Sequence, residues 1–197
     1  MSLSSFVKEY ENSLSSKLCR EMIKRFELDS KKRPGKIADG YNPKVKKSID
    51  LDIALYPEWS DVTNILKREI IKCAKDYTSY LKKTLYSNCI NDENENDLFS
   101  FFNAVRINNF NIQKTEEGGG FIWHHDESRE LKRIFVYMWY LNTVDPECGG
   151  STDILNDISI QPVEGKLVIF PASWLFIHRG RLLKSGVKYI CTGWITV

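Results

Sequence analysis

The chain has 197 residues, 42% hydrophobic and 27% charged, with a formal net charge of +2. That is enough for one domain with a substantial core, and the composition is far from the charge-rich, core-poor profile of disorder. The charge is too small to argue for nucleic acid, and no run of about 18 apolar residues offers a membrane span.

The N-terminal stretch "MSLSSFVKEYENSLSSKL" lacks a basic segment followed by an apolar run. Five widely spaced cysteines with no C-x-x-C pair indicate neither a disulfide framework nor a zinc knuckle, so reduced thiols in a soluble cytoplasmic protein are expected. Residues 15–26 set Leu18, Cys19, Met22, Ile23 and Phe26 on one helical face, with Ser15 or Ser16 as N-cap. A longer helix is predicted from Ser60 to about Lys83, behind a Ser60/Asp61 cap, on the spacing of Val62, Ile65, Leu66, Ile70, Cys73, Tyr77, Tyr80 and Leu81. Between them, residues 29–48 carry seven Lys/Arg with two Pro and two Gly, the composition of an exposed, mobile loop; a basic lid over a substrate is the other reading. "NDENENDLFS" (91–100) reads as an acidic loop without chemistry.

From Phe101 onward, short β-rich runs replace the helical period: "FNAVRINNFNIQK", "RIFVYMWYLN", "ISIQPVEG", "KLVIFPASWLFIH" and "VKYICTGWITV". Many short strands after helices predict an α+β fold, a sandwich or jelly roll buttressed on one side. Phe135, Tyr137 and Trp139 alternate with Ile134, Val136 and Met138, as in a strand buried on both faces.

His124 and Asp126, at i and i+2 of an extended segment, project to one side, while His125 points away. A β fold would bring His178 opposite them. Two neutral imidazoles and one carboxylate suit Fe(II) and leave coordination places open. H-x-D alone is short enough to arise by chance, and ordinary polar histidines are the alternative. Lys188, ten residues beyond His178, shares a strand face with Ile190, Thr192 and Trp194, which sets a cation at the rim of the same pocket.

The pieces "GGGFIWHHD", "KRIFVYMWYLN", "CGGST", "VEGKLVIFPASWLFIH" and "SGVKYICTGWI" resemble, in order and near-matching spacing, the core of Fe(II)- and 2-oxoglutarate-dependent dioxygenases, most of all the prolyl 4-hydroxylases. The resemblance covers some 85 residues, from about Asn111 to Trp194. It implies a double-stranded β-helix (jelly roll) core about 101–197, on helical support and a substrate loop in 1–100, together one domain. Implied iron ligands and catalytic residues are His124, Asp126 and His178. Lys188 would take the 5-carboxylate of 2-oxoglutarate, with Tyr140 and Thr152 as hydrogen-bonding neighbours and Trp194 as a wall; Arg179 and Arg181 lie too close to His178 for that role. Thr115 stands where the family usually has tyrosine, nine residues before the first iron histidine; it can still donate a hydrogen bond, but its shorter reach alters the cosubstrate's contacts there, and Phe121 replaces a commoner tyrosine as core packing. Fe(II), 2-oxoglutarate and O2 are the implied cofactors, with ascorbate a candidate addition. Asp126 implies hydroxylation rather than halogenation, because a halide needs the carboxylate's place.

The implied reaction is hydroxylation of an unactivated C–H bond, foremost prolyl 4-hydroxylation of a peptide or protein. Hydroxylation of a free amino acid or small metabolite is the nearer alternative. A non-catalytic β-sandwich binding protein and a nucleic-acid demethylase are readings from other classes, disfavoured by the complete triad and by the lack of a basic, aromatic surface. The basic 29–48 segment favours an acidic peptide, and neither a nucleic-acid nor a membrane partner is expected. His125 is assigned a structural or substrate-contact role, Arg106 is left open between an ion pair and a substrate, and Cys191 is read as a buried thiol.

Overall fold

The structure, a computed structural model, describes residues 2–89, 105–107, 109–128, 130–155 and 157–197. The acidic segment 91–100 and the start of the run beginning at Phe102 lie outside the described residues.

Helix α1 (Ser16–Leu28) begins where predicted: the Ser15 hydroxyl accepts from the Leu18 amide, and Cys19, Met22 and Phe26 are buried. Helix α2 (Ser60–Tyr80) continues into a π turn at Leu81–Leu85. The Ser60/Asp61 cap is not formed. A 3-10 turn, Pro57–Trp59, leads straight into the helix, no side chain caps it, and Asp61 instead pairs with Arg25 at 2.8 Å. A missing cap costs about 1 kcal/mol, whereas each large apolar side chain buried contributes about 1.5–3, so Val62, Leu66, Ile70, Cys73 and Tyr77 outweigh it. Ile65 departs from the predicted face and is exposed.

The described residues form thirteen strands: β1 (Lys8–Tyr10), β2 (Arg33–Pro34), β3 (Lys46–Lys47), β4 (Ile49–Asp52), β5 (Arg106–Ile107), β6 (Asn111–Glu116), β7 (Gly120–His124), β8 (Arg133–Tyr140), β9 (Thr152–Ile154), β10 (Ile158–Ile160), β11 (Leu167–Pro171), β12 (His178–Gly180) and β13 (Val187–Thr196). They form two antiparallel sheets, β1-β11-β8-β13-β6-β4-β2 with β5 added on β13, and β10-β9-β12-β7-β3. This is the expected α+β architecture, a double-stranded β-helix with helices on one face.

Strand β8 shows how one sequence pattern serves both layers. Phe135, Tyr137 and Trp139 pack with the α1 and α2 side chains, whereas Val136, Met138 and Tyr140 face the smaller sheet, meeting Ile154 and Ile160. The run "KLVIFPASWLFIH" is two strands rather than one: β11 lies in the larger sheet, and the chain turns through 172–177 into β12 of the smaller. Residues 29–48 are likewise not a free loop, since they supply β2 and β3 and bury Lys46. Among the described residues, no helix is long and apolar enough to cross a membrane.

Candidate metal centre and its cavity

His124 ends β7 and His178 opens β12, and in that antiparallel pair the two are directly opposite, so residues far apart in sequence meet. Their ring centroids are 4.2 Å apart. Asp126, two residues past His124, turns to the same side and sets its Oδ2 3.3 Å from His178 Nε2. One ligand atom from each of the three lies within 4.8 Å of the others. Gly120 permits the approach of the strands, because a Cβ there would meet the Gly180 carbonyl at 2.9 Å.

Hydrogen bonds fix both rings. His124 Nδ1 lies 2.8 Å from the Ile122 carbonyl and His178 Nδ1 lies 3.0 Å from that of Phe176. A carbonyl only accepts, so each Nδ1 carries the hydrogen and each Nε2 keeps a lone pair for a metal. Burial, reinforced by His178, pushes the His124 imidazole down to about 4, so it is neutral near pH 7. Burial alone would raise Asp126, but bonding to His178 and the nearby His124 and Trp194 hold its carboxyl down to about 2. Neutral nitrogens beside an ionised carboxylate are the donor set that Fe(II) accepts. Phe121, expected as core packing, is half-buried and stacks on the His124 ring at 3.5 Å between centroids.

The triad lies on a cavity of about 990 Å3 that Thr115, Thr152, Lys188, Ile190, Thr192 and Trp194 also line. Lys188 is not at the rim: it is 5% exposed, opposite Thr115 in the β6–β13 register, and donates to the Gly150 carbonyl at 2.6 Å. Burial lowers its ammonium to about 8, opposed only by the more distant Asp153. Among the described residues this buried ammonium has one hydrogen-bond partner and no paired anion, which the far carboxylate of a dicarboxylate would supply.

Tyr140 is fully buried with its ring 5.5 Å from Lys188 Nζ, and among the described residues its hydroxyl has no hydrogen-bond partner. The Trp194 indole N–H is also buried without a partner of ordinary geometry. His125 is exposed on the lining, Arg106 is exposed on β5, and Cys191 is fully buried with its thiol pushed up by burial.

Arg133, which the sequence did not mark, opens β8 with its guanidinium 3.6 Å from the Trp194 ring centroid and donates to the Asp126 carbonyl at 3.3 Å. Its only sequence signal is a cation at the head of an apolar strand. Lys46, also missed, is buried against Asp50 at 2.6 Å beneath the cavity wall that residues 31–46 form. Arg179 and Arg181 share Asp153 and stand at the lip of the cavity.

Residues 110–196 match the model of the 2OG-Fe(II) oxygenase superfamily. A PKHD-type hydroxylase of Synechococcus sp. strain CC9605 is 30% identical over 119 residues, 55% of this chain and 52% of that protein. The chain spans about half the length of the curated relatives it matches. Among solved structures, a prolyl hydroxylase from Trichoplax adhaerens, in complex with a hypoxia inducible factor peptide fragment, superposes with TM-score 0.73 at 16% identity, covering 98% of this chain and 84% of that one. The 2OG complex of a viral collagen prolyl hydroxylase from Paramecium Bursaria Chlorella virus-1 gives 0.65 at 20%, covering 98% and 97%. Residues 110–196 are thus similar to the 2OG-Fe(II) oxygenase superfamily, and the chain has a prolyl 4-hydroxylase-like fold.

Proposed function

We propose that this chain hydroxylates a C–H bond of a peptide or protein, at prolyl residues, using Fe(II), 2-oxoglutarate and O2. The observation that carries the reading is the convergence of two imidazole lone pairs and one carboxylate within 4.8 Å, beside a buried lysine that lacks an anion. In this reading His124, Asp126 and His178 hold the metal, and Lys188 takes the far carboxylate of 2-oxoglutarate with Thr115 and Thr152 near it. When bound, Fe(II) and 2-oxoglutarate supply the oxidising chemistry, converting the keto acid to succinate and CO2.

The protein's own work is positioning and exclusion of water. The Ile122 and Phe176 carbonyls hold the rings, and Arg133 steadies the Asp126 backbone from above Trp194. Val136, Met138, Phe170 and Ile190 make the inner wall apolar, which keeps water off the reacting centre. A cavity of about 990 Å3 sits at the upper end of small-molecule sites, about 300–1,000 Å3, and supports a peptide over a free amino acid. The peptide fragment in the Trichoplax complex supports the same choice.

The helices share one cluster of buried side chains with β8, β11 and β13, which supports treating residues 1–197 as one domain. Buried thiols at Cys19, Cys73 and Cys191 suit a reducing compartment, the cytoplasm.

The test is mass spectrometry after incubation with Fe(II), 2-oxoglutarate and either proline-containing peptides or free proline. Gain of one oxygen on a prolyl residue of the peptide is expected. Gain on the free amino acid alone would remove the peptide reading.

A further inference from the structure

The outer face of the smaller sheet carries a cationic cluster outside the chemistry above. Arg179 stands directly opposite Asp153 in the β9–β12 pair, and Arg181, just past the end of β12, reaches the same carboxylate. Both donate through Nε to one oxygen, Asp153 Oδ2, at 2.8 and 2.6 Å. Ser159 and Ser151 satisfy the other oxygen at 2.9 and 3.3 Å, and the carboxylate itself is 4% exposed. Asp153 is therefore saturated by a fixed set of donors.

The arginines are not saturated. Their side chains are 36% and 52% exposed, and among the described residues their terminal nitrogens have no hydrogen-bond partner. Arg179 lies 4.6 Å from the Trp123 ring centroid, which limits its freedom. With Leu155 and Ile158 these groups line a hollow of about 190 Å3, and the same two arginines also line the large active cavity. They form the lip between the two.

Two guanidinium forks, pinned at their Nε ends and open at their tips, are preorganised to grip a carboxylate. Asp157, the other acid on the hollow, is exposed and pairs with neither arginine, yet it lowers the local charge. The two arginines and two aspartates sum to zero formal charge, so the exposed guanidinium tips suit a single carboxylate better than a dianionic phosphate.

Building on the peptide-oxygenase reading, we infer that Arg179 and Arg181 form a specificity subsite for an acidic side chain of the substrate, next to the residue that enters the cavity. The Lys-rich 31–46 wall is a weaker source of such a preference, because Lys31 and Lys46 are already paired with Glu58 and Asp50, and Arg33 and Lys36 are not held to a common anchor as the two arginines are.

Two fluorescently labelled peptides with a central proline, flanked by Glu in one and by Gln in the other, provide the test by anisotropy. The wild-type protein should bind the Glu peptide about tenfold more tightly than the Gln peptide. In R179Q/R181Q this ratio should fall to within about twofold of unity. D157N, at an exposed position that no fold contact depends on, should raise the ratio about threefold and keeps the test open if the double variant does not fold. A wild-type ratio near one, a ratio unchanged in R179Q/R181Q, or one lowered in D157N overturns the subsite. Succinate release from 2-oxoglutarate without peptide is measured alongside: its absence counts against the oxygenase reading, whereas its presence with no Glu preference counts against the subsite alone.

Discussion

Lys188 carries a charge in a place that water does not reach, and its energetics separate binding from folding. In the folded protein its ammonium titrates near 8 rather than 10.5. Between these values the unfolded chain holds the extra proton, so stability rises with pH across about 8 to 10.5, and the burial penalty is fully present below 8. A shift from 10.5 to about 8 corresponds to about 3 kcal/mol. In urea unfolding without cosubstrate, wild type should therefore gain up to about that much over K188M between pH 7.5 and 10; parallel curves would remove the claim that the cation is buried and unpaired. On the proposed reading, in which Lys188 takes the far carboxylate of 2-oxoglutarate, the cosubstrate reverses the balance, and K188M should raise KM for 2-oxoglutarate by about a hundredfold. His124, Asp126, His178 and Lys188 could be singled out in the sequence because their order and spacing resemble a known family, whereas strand alternation alone marked them only weakly. Arg133 and the shared Asp153 were not, because their partners are set by which strands lie side by side.

Strands β7 and β12 are short, yet each presents chemistry on two faces. His178 meets Asp126 of the triad while its neighbour Arg179 bonds to Asp153 of β9, an outcome of the two-residue period of a strand. Helices α1 and α2 could be read from their period because burial in 3.6-residue steps leaves a long pattern. Strands of two residues, β2, β3 and β5, leave none, since only their neighbours' hydrogen bonds define them. The failed cap of α2 has the same cause: whether Asp61 meets an amide or Arg25 is decided by how the two helices pack. Gly193 gives an element-level test. In mid-β13 an added Cβ would collide with the Tyr137 hydroxyl and the Asn109 carbonyl, whose hydrogen bond ties β8 to the chain before β6. Gly193→Ala should cost about 1–3 kcal/mol in urea unfolding. An unchanged midpoint would mean that this crossing is looser than described.

Across the molecule, support and chemistry occupy opposite faces of one sheet. The inward side of the larger sheet meets the triad-bearing strands, and the outward side is sealed by α1 and α2. Phe26 is fully buried in the helical layer and packs edge-on against Tyr189, 6.1 Å between centroids. Phe26→Ala should cost about 3–5 kcal/mol, with little change in KM for 2-oxoglutarate below the melting transition. A large rise in KM at full folding would show that the two layers are not separable. The fold class was legible as helices followed by many short strands, but the sheet exchange at 172–177 was not, because one apolar run reads alike whether its halves share a sheet or not. The central claim is that His124, Asp126 and His178 bind iron that turns over 2-oxoglutarate. Its most direct test is succinate formation by the purified protein with Fe(II), compared with His124→Ala. Activity in the wild type that falls at least about a hundredfold in the variant is the predicted result. Equal succinate formation in both, or none above the variant with or without proline-containing peptides, would contradict it.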